Sequence, residues 1–136
     1  YSRKIVGCAT GVSLEAALCC EALKRACLRR NPPQDLIHHS DRGVQYASEQ
    51  YRDVLAAQHL VQSMSRKGNC WDNAMVESFF HTLKVERSHR KKYRNRGEAA
   101  ADVQDYIERF YNNRRRHSAL DYQCPTQYER DCPVAA

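Results

Sequence analysis

The amino-acid sequence predicts an α/β domain with some parallel sheet. Short apolar segments alternate with segments whose apolar residues recur at three- and four-residue steps, the pattern of strands alternating with helices. Strands that are joined through helices favour a parallel arrangement in a layered fold. At 136 residues the chain has the length of one domain with a single core.

Three strands and two helices are predicted in the first 64 residues. Ser13 and Ser48 have side chains that cap helix N-termini, and the run Asn31-Pro32-Pro33 ends the first helix. The predicted strands lie at 4–10, 36–39 and 59–64, and the predicted helices at about 14–30 and 49–58.

The second half is predicted to be mostly helical. Asp72 is placed to cap a helix from about Asn73 to Ser88, and the connection at 87–97 is the expected flexible loop. A last helix is expected over about 98–115, because its apolar residues form an amphipathic repeat: Val103, Tyr106, Ile107, Phe110 and Tyr111. Residues 1–120 are expected to form the core, and 121–136, which contain Pro125, an irregular tail.

The charge of the chain favours a polyanionic partner. The net charge is +6, and the segment from Lys84 to Arg96 has seven Lys/Arg against one acid, Glu86. The remaining residues therefore balance to zero. A basic run of this kind either binds nucleic acid or forms a solvated face.

Cysteine usage and hydropathy exclude several classes of protein. The seven cysteines are odd in number and contain no Cys-x-x-Cys pair, so we expect reduced, mostly buried thiols and no zinc or disulfide framework. No apolar run approaches the ~20 residues that span a bilayer, and no signal peptide is evident. We expect a cytosolic protein without a membrane partner.

Asp41 is the first candidate for a chemical role. It directly follows a predicted strand, in the turn-forming context Ser40-Asp41-Arg42-Gly43. Reactive groups and ligands of open α/β sheets gather at the carboxyl ends of strands. The alternative is that Asp41 only forms the turn.

Glu77 is the second candidate, on the helix predicted from Asn73. At about 100° per residue, four polar residues fall in a stripe about 80° wide: Asn73, Glu77, His81 and Lys84. A solvated polar face is the alternative. Together with Asp41, however, Glu77 provides the oxygen ligands that Mg²⁺ prefers, and two such ions can activate the attacking oxygen and stabilise the leaving oxygen in phosphoryl displacement.

Four motifs stand in order along nearly the whole chain. They are His39-Ser40-Asp41-Arg42-Gly43-Val44-Gln45-Tyr46, Ser65-Arg66-Lys67-Gly68-Asn69-Cys70-Trp71-Asp72-Asn73-Ala74, Glu77-Ser78-Phe79-Phe80 and Tyr111-Asn112-Asn113-Arg114-Arg115-Arg116-His117-Ser118-Ala119-Leu120. This series resembles bacterial insertion-sequence transposases with a retroviral-integrase-type catalytic core.

The resemblance implies a ribonuclease-H-like fold and an Asp-Asp-Glu metal site. Asp41 would be the second acid and Glu77 the third, with 35 residues between them, and Lys84 matches the basic residue seven beyond the glutamate. The implied chemistry is nicking at element ends and transfer of a 3′-hydroxyl, with two Mg²⁺ or Mn²⁺ ions. The implied partners are DNA and further copies of the chain in a homo-oligomer. The implied location is the bacterial cytoplasm, at the nucleoid.

The first acid of that triad has no counterpart in this sequence. In the family it precedes the strand that matches Ser2 to Gly7, so we expect a core truncated at its N-terminal strands. With two of three carboxylates, we expect the isolated chain to be inactive. The alternative function is a non-catalytic DNA-binding or oligomerisation remnant of a transposase.

Basic and aromatic residues around the candidate site are expected to contact DNA. Trp71 is either a base-stacking residue or a hydrophobic plug, and the arginines from Arg114 either bind phosphate or complement a helix C-terminus. The expected DNA-binding residues are Arg66, Lys67, Trp71, Asn73, Lys84, Arg87, Arg90, Lys91, Lys92, Arg114 and Arg115.

Overall fold

A computed structural model describes residues 1–66 and 73–132. The architecture is mixed α/β, as the sequence predicts. The chain divides into two compact units. The sheet unit contains residues 6–74, and the helical unit combines Tyr1–Ile5 with the chain from Met75 onward.

The sheet unit contains two helices and a parallel pair of strands. Its elements are α1 (Ala16–Arg30), β1 (Ile37–Ser40), α2 (Glu49–Ala57) and β2 (Val61–Met64). The strands pair in register from Ile37 opposite Val61 to Ser40 opposite Met64, with α2 as the crossover. The parallel prediction is confirmed, and both strands lie within a residue or two of their predicted positions.

The core of the sheet unit lies between α1 and α2. Its buried residues are Cys20, Leu23, Cys27, Tyr51 and Leu55. Ser48 caps α2 as predicted, since its Oγ accepts a hydrogen bond from the amide of Tyr51 at 3.2 Å. Cys20 and Cys27 are buried free thiols, whereas Cys132 is exposed, so the expectation of mostly buried cysteines holds only for part of the set.

Two predictions near the N-terminus are wrong. Residues 4–10 form no strand, and the backbone of Ile5 bonds the side chain of Asn112 where a strand would bond another strand. Ser13 does not cap α1, because the helix begins at Ala16 after Glu15 and Ser13 lies two residues before that cap position. The helix ends as predicted, with Asn31 in the left-handed conformation.

The helical unit is built from three helices and short turns. Its elements are α3 (Ala74–Glu86), which begins at the boundary with the sheet unit, a 3₁₀ turn (Ser88–Arg90), α4 (Arg96–Asp105), a π-helical turn (Tyr106–Tyr111), a second 3₁₀ turn (Ser118–Leu120) and α5 (Pro125–Asp131). The predicted cap of α3, Asp72, lies outside the described residues. The predicted end of α3 at Ser88 is two residues too late.

The predicted helix over 98–115 ends four residues early and changes its pitch. The amide of Asn112 donates to the carbonyl of Ile107 at 3.0 Å, a five-residue step typical of a π-helix. Tyr106, Ile107 and Tyr111 are buried, but Phe110 is 41% exposed. The predicted apolar stripe is therefore wrong for Phe110, because the wider turn rotates the buried face towards Tyr111.

The expected irregular tail is helical over Pro125–Asp131. Pro125 occupies the first turn of α5, where its missing amide costs no hydrogen bond, and it is buried. Glu129 of α5 accepts bonds from Ser2 at 2.7 Å and Lys4 at 3.0 Å, which tie the N-terminal segment to this helix.

Candidate metal and nucleic-acid site

Asp41 lies directly after β1, at the carboxyl end of the parallel pair, and is exposed to solvent. Its Oδ1 accepts a hydrogen bond from the amide of Gly43 at 2.7 Å. This bond forms the turn that the sequence suggested. It holds one carboxylate oxygen of Asp41 directly after the strand end, the region where ligands of open α/β sheets gather. The turn at Asp41 is thus confirmed, whereas metal binding by Asp41 stays a prediction.

A polar network joins the ends of β1 and β2 beside Asp41. Ser65 is buried, and its Oγ lies 3.1 Å from the carbonyl oxygen of Ser40 and 3.1 Å from Oδ1 of Asn73. The ring of His39 contacts Ser63 at 3.0 Å and Ser65 at 3.3 Å. The sequence indicated Asn73 as a DNA contact, whereas Ser65 stood at the start of the motif from Ser65 to Ala74 without a role of its own.

Arg42 adds a backbone contact to this network. Its Nε donates to the carbonyl oxygen of Ser65 at 2.8 Å. The residue after Asp41 therefore holds the start of the loop that follows β2. Arg66 is exposed, and Lys67 and Trp71, both expected to contact DNA, lie outside the described residues.

Glu77 lies in the first turn of α3 and Lys84 in its last turn, and both are exposed. No described residue forms a hydrogen bond or ion pair with Glu77. The opposite side of α3 is anchored by Phe79, which is buried with its ring 5.0 Å from that of Tyr111 in an edge-on contact. Met75, Val76 and Phe80 are exposed as well, so exposure does not set a polar face apart from the apolar one. The packing predicted for the apolar side holds for Phe79, and the polar stripe stays a prediction.

The two candidate carboxylates lie in different units of the chain. Asp41 belongs to the sheet unit and Glu77 to the helical unit. Among residues 1–66 and 73–132, no group of three His, Cys, Asp or Glu side chains is arranged to hold a metal ion. Asp41 and Glu77 are nevertheless carboxylates, and Mg²⁺ is usually bound by only one or two protein carboxylates.

The basic connection after α3 is tethered by one carboxylate. Arg87 donates two bonds to Asp102, both at 2.8 Å, and Lys91 and Tyr93 donate to the same side chain. The bonds from Arg87 are the main reason that the pKa of Asp102 lies well below its usual range. This clamp uses two of the cations that were expected to contact DNA, and it opposes the flexibility expected of 87–97.

Other cations of the expected DNA-binding set point to solvent. Arg90, Lys92 and Arg114 are exposed, and in the part of the chain that the structure describes their side chains have no ion-pair partner. Arg115 differs, because its side chain is only 23% exposed and pairs with Glu86. The sequence did not distinguish these two kinds of arginine.

Arg115 is the centre of a buried network at the end of α3. Its Nη2 lies 3.0 Å from Glu86 Oε1, and Nη1 donates to Nδ1 of His117 at 3.2 Å. The hydroxyl of Tyr106 donates to Glu86 Oε2 at 2.6 Å. Burial raises the pKa of Glu86, but the bonds from Tyr106 and Arg115 outweigh it and hold the pKa below its usual range.

His117 is buried and uncharged in this setting. Burial and then the nearby charges of Arg115 and Arg3 lower its pKa to about 4, against a small opposing effect of Glu86. Its Nδ1 accepts the bond from Arg115, so the proton resides on Nε2. The sequence placed His117 in a motif but not in the interior.

Two family models match the chain. One model of the integrase core domain matches residues 1–70, and a second model, also described as integrase core domain, matches residues 58–125. The chain therefore belongs to the integrase core domain family. Membership implies a ribonuclease-H-like fold.

The chain is also similar to transposases of bacterial insertion sequences, as its motifs suggested. It is 42% identical to the transposase for insertion sequence element IS904 of Lactococcus lactis over 130 residues, covering 96% of this chain and 51% of that protein. It is 45% identical to transposase InsF for insertion sequence IS3A of Escherichia coli, covering 95% of this chain and 45% of that protein. An insertion element IS600 protein of Shigella sonnei is 45% identical, with 94% and 47% covered. The chain spans about half the length of these curated relatives.

Within the described residues, no helix is long and apolar enough to cross a membrane.

Proposed function

We propose that this chain provides the second and third acids of an Asp-Asp-Glu site for DNA nicking and strand transfer during transposition. The main support is the exposed carboxylate of Asp41 at the carboxyl end of β1, which is held by a hydrogen bond from the amide of Gly43. The chain also belongs to the integrase core domain family. Glu77, exposed and unpaired among the described residues, supports the assignment. The names of the relatives support DNA as the substrate.

Asp41 and Glu77 would hold divalent ions, with Mg²⁺ or Mn²⁺ as the cofactor. Such ions supply Lewis acidity to the attacking and leaving oxygens of a phosphodiester. The contribution of this chain is to hold the two carboxylates. Asp41 is fixed through its turn, and Glu77 through the helix that Phe79 and Glu86 anchor.

The site needs a further carboxylate. Residues 1–136 contain no counterpart of the first aspartate of the family, and Asp35 is six residues before Asp41, which does not fit its place. We infer that this group is supplied from outside these residues. The isolated chain is then expected to hold metal weakly and to perform no strand transfer.

The proposed partners are the ends of an insertion element, target DNA and further copies of the transposase. Lys84 lies on the same face of α3 as Glu77 and is suited to a phosphate near the scissile bond. Arg66, Lys67, Trp71 and Asn73 belong to the sequence segment that follows β2 and are proposed DNA contacts, as are the exposed cations Arg90, Lys92 and Arg114. A bacterial cytoplasm, at the nucleoid, is the corresponding location.

A metal titration tests the two acids. Binding of Mn²⁺ is measured for the chain and for Asp41→Ala and Glu77→Ala, with Asp53→Ala as control, since Asp53 is an exposed acid on α2. Weaker binding in both site variants, with the control unchanged, supports the proposal. Equal binding in all four proteins removes Asp41 and Glu77 as ligands.

The second candidate function is a non-catalytic module that binds DNA or joins transposase protomers. The exposed cations Arg90, Lys92 and Arg114 favour it, because they do not depend on a complete metal site. DNA binding by the chain that is insensitive to Mg²⁺ and to Asp41→Ala, without any binding of Mn²⁺, supports this function over the first. Nicking of terminal-repeat DNA by the isolated chain with Mg²⁺ contradicts the predicted inactivity.

A further inference from the structure

The C-terminal end of α3 is fixed by residues that come from much later in the chain. Glu86, the last residue of α3, accepts bonds from Arg115 Nε at 3.1 and 3.2 Å and from the hydroxyl of Tyr106 at 2.6 Å. All three side chains belong to the helical unit and are half-buried or buried. Such charge-assisted contacts are among the stronger polar interactions in proteins.

The π-helical turn makes this arrangement possible. On an α-helix, two residues five apart diverge by about 140°. In a π-helix the bond closes at the fifth residue, so residues five apart lie nearly above one another. Tyr106 and Tyr111 therefore face the same side, where Tyr106 bonds Glu86 and Tyr111 packs against Phe79.

Arg115 is held in place by residues on this same side of the π-helical turn. Its guanidinium lies 5.7 Å from the centre of the Tyr111 ring, and it donates to His117, whose ring is 5.1 Å from that of Tyr111. The planar guanidinium thus contacts a carboxylate, a ring face and an imidazole nitrogen together. A lysine has one ammonium and no planar fork, so it cannot reproduce this set of contacts.

We propose that Arg115 and Tyr106 are positioning residues for α3. They hold its C-terminal end through Glu86, while Tyr111 holds Phe79, and the helix thereby presents Lys84 and Glu77 on a fixed face. Arg115 acts inward and is not a phosphate contact. The functional consequence rests on the function proposed above, but the anchoring of α3 does not.

Amide hydrogen exchange tests the anchoring without DNA. Arg115→Lys keeps the charge and is compared with Arg109→Lys, a control in the same π turn whose side chain is 83% exposed. We expect exchange in the last two turns of α3 to be about tenfold faster in Arg115→Lys and unchanged in the control. Tyr106→Phe, which loses one hydroxyl, provides a milder variant with a smaller increase in the same amides.

DNA binding tests the consequence for Lys84. Removing a phosphate contact lowers the slope of log affinity against log salt by about one. Lys84→Gln is expected to do so in the wild-type background and to have less than half that effect in Arg115→Lys, although Arg115→Lys changes no charge. A purely stabilising role of Arg115 leaves the Lys84 effect intact under conditions where both proteins are folded.

The two readouts separate the possible failures. If the amides of α3 exchange at the wild-type rate in both Arg115→Lys and Tyr106→Phe, the positioning role is overturned. A full Lys84 effect in Arg115→Lys also overturns it. Accelerated exchange together with no Lys84 effect in the wild-type background retains the anchoring and contradicts the proposed DNA contact of Lys84.

Discussion

The side-chain amide of Asn112 pairs with both backbone groups of Ile5, its N–H and its carbonyl. Its Oδ1 accepts from the Ile5 amide at 2.9 Å, and its Nδ2 donates to the Ile5 carbonyl at 3.0 Å. The backbone carbonyl of Asn112 accepts from Thr126 at 2.9 Å. One buried residue therefore joins the N-terminal segment, the π turn and α5.

Asn112→Ala should destabilise the helical unit strongly. The variant leaves the amide and carbonyl of Ile5 without partners in a site where Asn112 is 1% exposed, and each unmet group costs about 1–3 kcal/mol. Chemical denaturation measures the free energy of unfolding. Asn113→Ala, at the exposed neighbouring position, is the control and should change it little; equal losses in the two variants contradict the role of Asn112.

Gly7→Ala should destabilise the sheet unit. A Cβ at Gly7 would lie 2.3 Å from the carbonyl oxygen of Ala22 and 2.9 Å from the amide nitrogen of Ala26, and the backbone of α1 cannot yield as a side chain can. We expect a loss of roughly 1–3 kcal/mol by thermal or chemical unfolding. A Cβ at Gly11 would meet the flexible end of Leu18 at 3.0 Å and the carbonyl oxygen of Ser13 at an ordinary contact distance of 3.7 Å, so Gly11→Ala serves as the control. A Gly7→Ala protein as stable as Gly11→Ala contradicts the close packing.

His117 should make stability depend on pH in mildly acid solution. Its pKa is about 4 in the folded protein against 6.5 for an ordinary histidine, so between these values only the unfolded chain binds the proton. The stability is thus present above about pH 6.5 and is lost as the pH falls towards 4, by at most about 1.4 kcal/mol per pH unit.

The measurement compares the free energy of unfolding at pH 5 and pH 7 for the wild type and His117→Gln. The change in the free energy of unfolding between pH 5 and pH 7 should be smaller in the variant, because glutamine does not titrate. Burial also lowers the pKa of His38, so a residual pH dependence is expected, and His38→Gln shows its share. A pH dependence that is the same with and without His117 contradicts the prediction.

Local signals in the sequence were sufficient for most of the regular elements. The serine cap of α2 and the end of α1 before Pro32 depend on residues close in sequence, and both were predicted correctly. The parallel pairing of β1 with β2 followed from the helix between them. Asp41 was found in the same way, because the end of a strand and the turn after it are local features.

Features that depend on distant residues were missed. Residues 4–10 look like a strand by composition, but a strand needs a neighbour, and Ile5 meets an asparagine 107 positions away. The inward role of Arg115 depends on Glu86 and the π turn, neither of which a helical periodicity reveals. The metal function of Asp41 and Glu77 remains a prediction. It also requires the first acid of the triad, and local patterns do not reveal how these acids come together.

Asp102→Asn should weaken the clamp on the basic connection. The carboxylate accepts from Arg87, Lys91 and Tyr93, and its replacement by a neutral amide should cost about 2–3 kcal/mol at pH 7. Asp105→Asn is the control, because Asp105 is 44% exposed and meets Arg87 only at 3.4 Å. An equal effect of the two substitutions on chemical unfolding contradicts the clamp.

The same clamp has a defined pH dependence. Because the pKa of Asp102 is lowered in the folded state, its stabilisation is fully present above the ordinary value of 3.8 and is lost as the pH falls further towards the folded pKa. The difference in unfolding free energy between the wild type and Asp102→Asn should therefore shrink below about pH 4. A constant difference down to strongly acid pH is the contrary result.

Lys91 and Lys92 should differ in DNA binding although they are adjacent. Lys91 is paired with Asp102, whereas Lys92 is exposed and has no ion-pair partner among the described residues. Lys92→Gln should lower the slope of log affinity against log salt by about one, because it removes a cation that is free to bind phosphate. Lys91→Gln removes the same charge from a residue that Asp102 already neutralises, so its effect should be clearly smaller. The slopes are measured by titrating duplex DNA at several salt concentrations, and equal slopes for the two variants would show that the clamp does not select which cations meet DNA.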